Sequence, residues 1–345
     1  MLTPDQVDDF VQLTLPHFKR YKWTDISVDL QDYVTARIIQ SKGVKEQGGS
    51  KLSWTVKVKN TGNARNTGLY AQDITKVEDV TITAEVPWVK QTTNFSYDID
   101  EELFQSDRET IIDVLKIRDH DAMTSLAELH EENFWSAPTD AKDQRPNGVP
   151  FWFKKDPTTT PEGAFNGGNP SGFAGGAAGI DSTVYTNWRN YTFGYSAVST
   201  PDLVKKMKLA KARTRFKAPV PHPELGYGKV DYEILTTLRV TEPLERLAET
   251  RNDKLGADVA MYIDKVTVGG TPVSWVPYLE ANDTSDPVYG ICWKDFRPFC
   301  KKGAQNRRTR PQKSANQHTV REVHIDNWMN YEMLNRRSGW VGSKG

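Results

Sequence analysis

Two stretches, Lys51-Leu-Ser-Trp-Thr-Val-Lys-Val-Lys59 and Glu78-Asp-Val-Thr-Ile-Thr-Ala-Glu-Val-Pro-Trp-Val89, decide how this chain reads. Both alternate with a period of two, as a strand with one apolar face does. Trp54, Val56 and Val58 share one face of the first stretch, and Ser53, Thr55, Lys57 and Lys59 share the other. Val80, Ile82, Ala84, Val86 and Trp88 form the apolar face of the second. The link between them, Asn60-Thr-Gly-Asn-Ala-Arg-Asn-Thr-Gly68 with Arg65 in its middle, is turn chemistry. The pattern predicts a two-stranded ribbon. At about 3.4 Å per residue, residues 78–89 would reach roughly 40 Å, and a lone ribbon of that length is marginal in water. Its apolar face is therefore expected to lie on a neighbouring copy of the chain.

The ribbon feeds into a long helical pattern from about Glu101 to Trp135. Asp98 and Glu101 give a start signal, and Pro138 ends it. Phe104, Ile111, Leu115, Ala122, Leu126 and Leu129 fall on one stripe, with Glu102, Glu109, Asp113, Thr124 and Glu131 opposite. At about 1.5 Å per residue this is a rod near 50 Å. Arg108 and Arg118 lie within the apolar stripe, where an unpaired charge is costly. Each is expected to meet a carboxylate, from this chain or another subunit.

Upstream, Thr3, Pro4 and Gln6 predict a short N-terminal helix that Pro16 stops. Lys19 to Val44 reads as an extended or weakly ordered arm with Trp23, Ile26, Val28, Leu30 and Tyr33 as anchors. Downstream, seven glycines between Gly163 and Gly179 argue against a regular element of its own there. A second helix is expected from Ser199 through Leu203, Met207 and Ala210 to Phe216. A strand near Tyr232–Leu238, a helix from about Glu242 to Arg251 and a hairpin on Gly269-Gly270 follow. His318 to Val341 reads as one or two closing strands. There is no internal repeat.

The chain has 345 residues, with 45 Lys and Arg against 45 Asp and Glu, so no whole-molecule field steers it toward a polyanion. Two cysteines, Cys292 and Cys300, do not suit a disulfide framework and fit a reducing compartment. The first twenty residues lack the order of a secretory signal, and no apolar run approaches the roughly 20 residues that span a bilayer. No membrane association is expected.

Catalytic templates fail on spacing. His130-Glu-Glu-Asn133 lacks the second His of a helical zinc motif, and His222-Pro-Glu224 lacks its cysteine partners. Gly226-Tyr-Gly228-Lys229 is not a phosphate loop. The reading assigns no catalytic residue, metal or cofactor, and treats the histidines and the ten tryptophans as structural. A sugar-binding protein using those tryptophans is the rival from another class. From Lys301 to Arg321 seven basic residues occur without an acid: Lys301, Lys302, Arg307, Arg308, Arg310, Lys313 and Arg321. These read either as a sequence-independent nucleic-acid contact or as a solvated mobile loop.

In this order, ribbon, long helix and tail resemble a tailed-bacteriophage major capsid protein of the Hong Kong-ninety-seven type. Local matches are Glu131-Glu-Asn-Phe-Trp135 with Pro138, Asn147-Gly-Val-Pro-Phe-Trp152, Asn187-Trp-Arg-Asn190, Gly270-Thr-Pro-Val-Ser-Trp-Val-Pro277, Pro287-Val-Tyr-Gly-Ile-Cys-Trp-Lys-Asp-Phe296 and Asn335-Arg-Arg-Ser-Gly-Trp340. The resemblance implies an α+β phage major-capsid fold. Residues 1–44 would be an N-terminal arm and 45–97 an extended β-hairpin loop. Residues 98–224 would hold the spine helix and peripheral domain, 225–300 an axial domain, and 301–345 a basic loop returning to the peripheral domain. It implies a non-enzymatic shell subunit meeting its own copies in pentamers and hexamers. Trp54, Val56, Val58, Arg65, Val80, Ile82, Val86, Trp88, Arg108 and Arg118 would serve inter-subunit contact. Lys301, Lys302, Arg307, Arg308, Arg310 and Lys313 are the candidate nucleic-acid contacts on the charge reading above, and the resemblance does not decide which way they face. Expected partners are a separate scaffolding protein, a portal and packaged double-stranded DNA. The expected location is a virion capsid assembled in the host cytoplasm. A nanocompartment shell of the encapsulin type is the alternative within the same fold. Lys51, Lys57 and Lys59 lie where some relatives crosslink, but no partner is identifiable and no such assignment is made.

Overall fold

The computed structural model describes residues 33–69, 77–100, 108–156, 162–215, 231–252, 266–315 and 317–345. The expected N-terminal helix, the anchors at 23–30, Phe104 and Phe216 lie outside them, as do the side chains of Arg108 and Ile111. In chain order the elements begin with α1 (Val34–Lys42), β1 (Lys45–Gln47), β2 (Lys51–Lys57), β3 (Thr81–Pro87), β4 (Val89–Asp98) and α2 (Arg108–Phe134). Next come α3 (Val149–Trp152), β5 (Ala164–Gly167), β6 (Asn190–Tyr195), α4 (Lys205–Thr214), β7 (Tyr232–Thr236), α5 (Leu238–Asn252), β8 (Thr267–Val268), β9 (Thr271–Trp275) and α6 (Pro277–Asn282). The last are β10 (Val288–Cys292), β11 (Phe296–Lys301), β12 (Arg307–Arg308), β13 (Gln312–Lys313), β14 (Val320–Met333) and β15 (Trp340–Lys344).

Strand β14 organises a six-stranded sheet. One edge pairs with β4 over ten residues, from Val320↔Asp98 to Met329↔Val89. The other edge takes β13, β12 and β11 in turn, and β1 adds in parallel to β11. Helix α2 covers one face of this sheet. Leu115, Ala122 and Leu126 of its apolar stripe pack on Phe95, Tyr97, Val323 and Ile325. A seven-stranded sheet runs β5-β6-β15-β10-β7-β9-β8; α4 and α5 close its core through Met207, Ala210, Val240 and Leu244, joined by Leu203 from the π-helical turn Thr200–Val204 that leads into α4. It draws strands from 164–195 and 340–344 as well as from 232–292. The sheets therefore do not partition at residues 224 and 300. The third sheet is the ribbon β2–β3.

Several expectations need correction. Residues 34–42 are helical where the reading had an extended arm. The residue before α1, Tyr33, provides no side-chain cap; the cap comes from α2, as described below. The continuous strand expected over 78–89 breaks at Trp88, because Pro87 has no N–H for the ladder and its carbonyl is taken by Asn330 Nδ2 (2.7 Å). Beyond the break the chain joins β14 as β4, so residues 89–98 are not part of a free loop. Helix α5 starts four residues earlier than expected, because Glu280 from α6 accepts the Leu238 amide (2.7 Å). The basic run is not all loop: Arg307–Arg308 and Gln312–Lys313 are laid on β14 as β12 and β13. The Gly269-Gly270 hairpin forms as read, with φ of +59° and +75° at the two glycines, a combination only glycine adopts freely.

Candidate assembly interface

The ribbon pairs in register from Lys51↔Pro87 to Lys57↔Thr81, putting Leu52 opposite Val86, Trp54 opposite Ala84 and Val56 opposite Ile82. Its outer face carries Lys51–Glu85 (2.7 Å) and, farther out, Lys59–Glu78 (2.9 Å); the Glu78 contact holds the Lys59 ammonium above its ordinary pKa. Its inner face is where the sequence argument fails. Leu52, Trp54, Ala84, Val86 and Trp88 are buried in the chain's own core with Val34, Ile38 and Trp152. Trp54 and Trp152 have ring centroids 6.2 Å apart. The Glu85 amide donates to the Ala178 carbonyl (3.1 Å), so the glycine-rich segment braces the ribbon from below. Val56, Val58 and Ile82 are half-buried on the same core. Val80 is also half-buried, and Arg65 lies on the exposed turn stretch. What stays uncovered is the tip: Leu69 and Val77 are each 93% exposed.

The base of the ribbon is latched to the end of the long helix. Asn330, fully buried on β14, donates to Pro87 and accepts the Asn147 amide (2.9 Å). Next to Asn147, Gly148 lies so close to the end of α2 that a Cβ there would be 2.3–2.5 Å from the carbonyl oxygens of Ser136, Asn133 and Phe134. Three of the sequence matches converge behind this latch. Arg336, wholly buried, donates to the carbonyls of Trp152 (2.9 Å), Trp188 (3.0 Å) and Gly168 (3.0 Å) and to Asn190 Oδ1 (3.3 Å). Burial lowers its pKa to about 9.

On α2, Arg118 donates to the Ser96 carbonyl (3.0 Å) of β4, within its own chain. Glu131, placed opposite the apolar stripe by its spacing, is 1% exposed. It takes the Thr35 amide and hydroxyl (both 2.9 Å) and the Trp135 indole N–H (2.7 Å), which explains how a carboxylate is held there. Burial still raises its pKa, against those hydrogen bonds. A second buried acid, Asp119, holds Arg308 Nη2 with both oxygens (2.9 Å each) and ties α2 to β12. Burial raises its pKa, with Arg308 pulling the other way. The sequence reading missed Asp119, Glu131, Asn330 and Arg336 as partners; only Asn330, set between Met329 and Tyr331, carried a local signal of a polar residue amid apolar neighbours.

Of the basic run, Arg308 is engaged with Asp119, and Lys301 lies over the Trp328 ring at 5.5 Å. Lys302, Arg307, Arg310 and Lys313 are exposed. Among the described residues seven tryptophans, including Trp152, Trp188 and Trp340, are buried, which suits core anchoring rather than sugar stacking. Among the described residues no group of three or more His, Cys, Asp or Glu is placed to hold a metal ion. Cys292 and Cys300 are buried free thiols, each pushed up to about 12 by burial. No described helix is long and apolar enough to cross a membrane.

No family model matches this chain, and no curated protein matches it. Solved structures do. The capsid asymmetric unit of cyanophage A-1(L) superposes with a TM-score of 0.61 at 15% identity, covering 96% of this chain and 98% of that one. The capsid of Myoviridae phage XM1 gives 0.56 at 7% identity, with 96% and 98% covered. The capsid of a native GTA particle gives 0.53 at 10%, again with 96% and 98% covered. At such identities the likeness is one of fold, and it spans nearly the full length of both chains.

Proposed function

We propose that this chain, folded as phage capsid proteins are folded, is the repeating subunit of an icosahedral shell enclosing a double-stranded DNA genome. The observation that carries the reading is the near-complete mutual coverage with capsid subunits, which leaves little of this chain over for another task. Rings of five and six copies would form by symmetric and near-symmetric contacts, each needing about 800 Å² per partner to be stable. The seven-stranded sheet with α4 and α5 is the candidate axial layer, and the six-stranded sheet with α2 the peripheral one. The ribbon tip, from Arg65 and Leu69 across to Val77 and Val80, would reach the neighbouring subunit. Trp54, Val86 and Trp88 would set its angle from inside rather than touch the neighbour. Arg108 and Arg118 remain candidates on the long helix. A scaffolding protein and a portal fit as assembly partners, with the product in the virion and assembly in the host cytoplasm.

Electron microscopy of the overexpressed chain, alone and with a scaffolding protein, tests this. Closed particles protecting DNA from nuclease are expected. Particles loaded with a protein cargo instead would assign the chain to a nanocompartment. A chain that stays monomeric under every condition would refute the shell reading. Leu69→Asp with Val77→Asp should abolish particles while leaving the monomer's melting temperature unchanged.

A further inference from the structure

The strands β12 and β13 occupy an edge of the six-stranded sheet, and their charge is one-sided. Exposed edge strands commonly carry lysines to discourage edge-to-edge pairing, and either sign of charge would serve that end. Here seven cations and no acid lie between Lys301 and Arg321, in a chain whose totals balance at 45 and 45. That imbalance asks for an anion.

The geometry makes the run an ordered comb. Paired residues on neighbouring strands share a face. Arg308 lies opposite Ile325, on the face covered by α2, where Asp119 pins it. Lys313 lies opposite Arg321 on that same face. Arg307 lies opposite Asp326, on the reverse face. The cations therefore emerge on both sides of the edge, and Lys302 and Arg310 flank β12 in the chain. The Asp119 contact orders the strand but removes only Arg308 from the exposed set.

We infer that Lys302, Arg307, Arg310 and Lys313 bind the phosphate backbone of duplex DNA without reading its sequence. This deepens the shell reading by naming the surface that faces the genome. Backbone binding releases counterions, so the logarithm of affinity should fall linearly with the logarithm of salt, with a slope of about 0.9 per phosphate contacted.

The test is fluorescence anisotropy of a labelled synthetic duplex titrated with the full-length chain over a salt series. Changing all four residues to Gln should lower the slope by up to about 3.6, and Arg307→Gln with Arg310→Gln by about half that. A control with the same loss of charge, Lys45, Lys57, Lys142 and Lys205 to Gln, should keep the wild-type slope. Equal losses in control and test variants would overturn the site, as would an unchanged slope in a quadruple variant that keeps its far-ultraviolet circular dichroism. An unchanged slope with loss of an acidic protein partner from particles would likewise overturn it and assign the edge to that protein. Particle formation is scored separately. Wild-type particles with no slope effect refute this surface alone, whereas a slope effect without particles refutes the shell reading and leaves the surface standing.

Discussion

Glu131 on α2 caps α1 from outside it: the Thr35 amide and hydroxyl both meet Glu131 Oε2 at 2.9 Å, across 96 residues of sequence. The cap carries more than a nine-residue helix. Val34 and Ile38 of α1 pack beside Leu52, Trp54 and Val86, so the cap helps set where the ribbon base lies. Removing it should be costly. Glu131→Ala leaves the Thr35 amide, the Thr35 hydroxyl and the Trp135 indole N–H buried without an acceptor. Each such group costs about 1–3 kcal/mol, so a loss of several kcal/mol is expected in urea denaturation. Glu131→Gln keeps an acceptor and should lose less. Its pH response gives a second readout. A carboxyl raised by burial favours the fold most when protonated, below its ordinary pKa, and that contribution is lost as pH rises through the folded pKa. The Gln variant should lack this component.

Gly148 has φ of −69°, a conformation open to any residue. Alanine at a compatible glycine usually stabilises by about 0.4–1 kcal/mol through the unfolded chain. Here its methyl would strike three backbone carbonyls at the end of α2. Gly148→Ala should therefore destabilise, by about 1–3 kcal/mol or more. The sign of the shift in thermal midpoint decides the matter.

His130 is buried between α2 and β14, with Nε2 3.3 Å from Asn327 Nδ2 and no partner for Nδ1. Burial lowers its pKa from 6.5 to about 4. The unfolded chain then takes up a proton that the fold refuses, so stability should fall as pH drops from about 6.5 toward 4. The full effect is about 3 kcal/mol at roughly 1.4 kcal/mol per pKa unit. His130→Gln should flatten the dependence of the urea midpoint on pH across that window.

Asp119 and Arg308 can be separated by a double-mutant cycle. Asp119 is 3% exposed, and Arg308 reaches it from the sheet edge. Alanine at each position and at both should give a coupling of about 0.5–3 kcal/mol in denaturant unfolding. Additive losses would mean that β12 is held by its backbone pairing with β14 alone.

Much of this fold is legible from short-range pattern. The two-residue period marks β2 and β3, the helical stripe through Leu115, Ala122 and Leu126 marks α2, and the glycine pair at 269–270 marks its hairpin. Leu203, Met207 and Ala210 mark α4 and the π-helical turn before it, and all three are buried. Where the reading went astray, the missing term was long-range. The local pattern put the start of a helix near Glu242, yet Glu280 from another element lets α5 begin at Leu238. The candidate interface was half legible: the reading found the ribbon but turned its apolar face toward a neighbour. Alternation records that one side of a strand is apolar, and it carries no information on whose atoms cover it.

The sequence by itself determined the ribbon, the long helix and the 269–270 hairpin and their order, because backbone preference and side-chain periodicity act over a few residues. The tertiary structure alone decided that Trp54 rests on Trp152 of the same chain, and that Arg336 joins Trp152, Trp188 and Gly168 across as many as 184 residues. It also decided that β4, β11 and β14 form one sheet. Those pairings depend on how distant segments meet, and a buried polar group takes whichever partner the topology delivers to it.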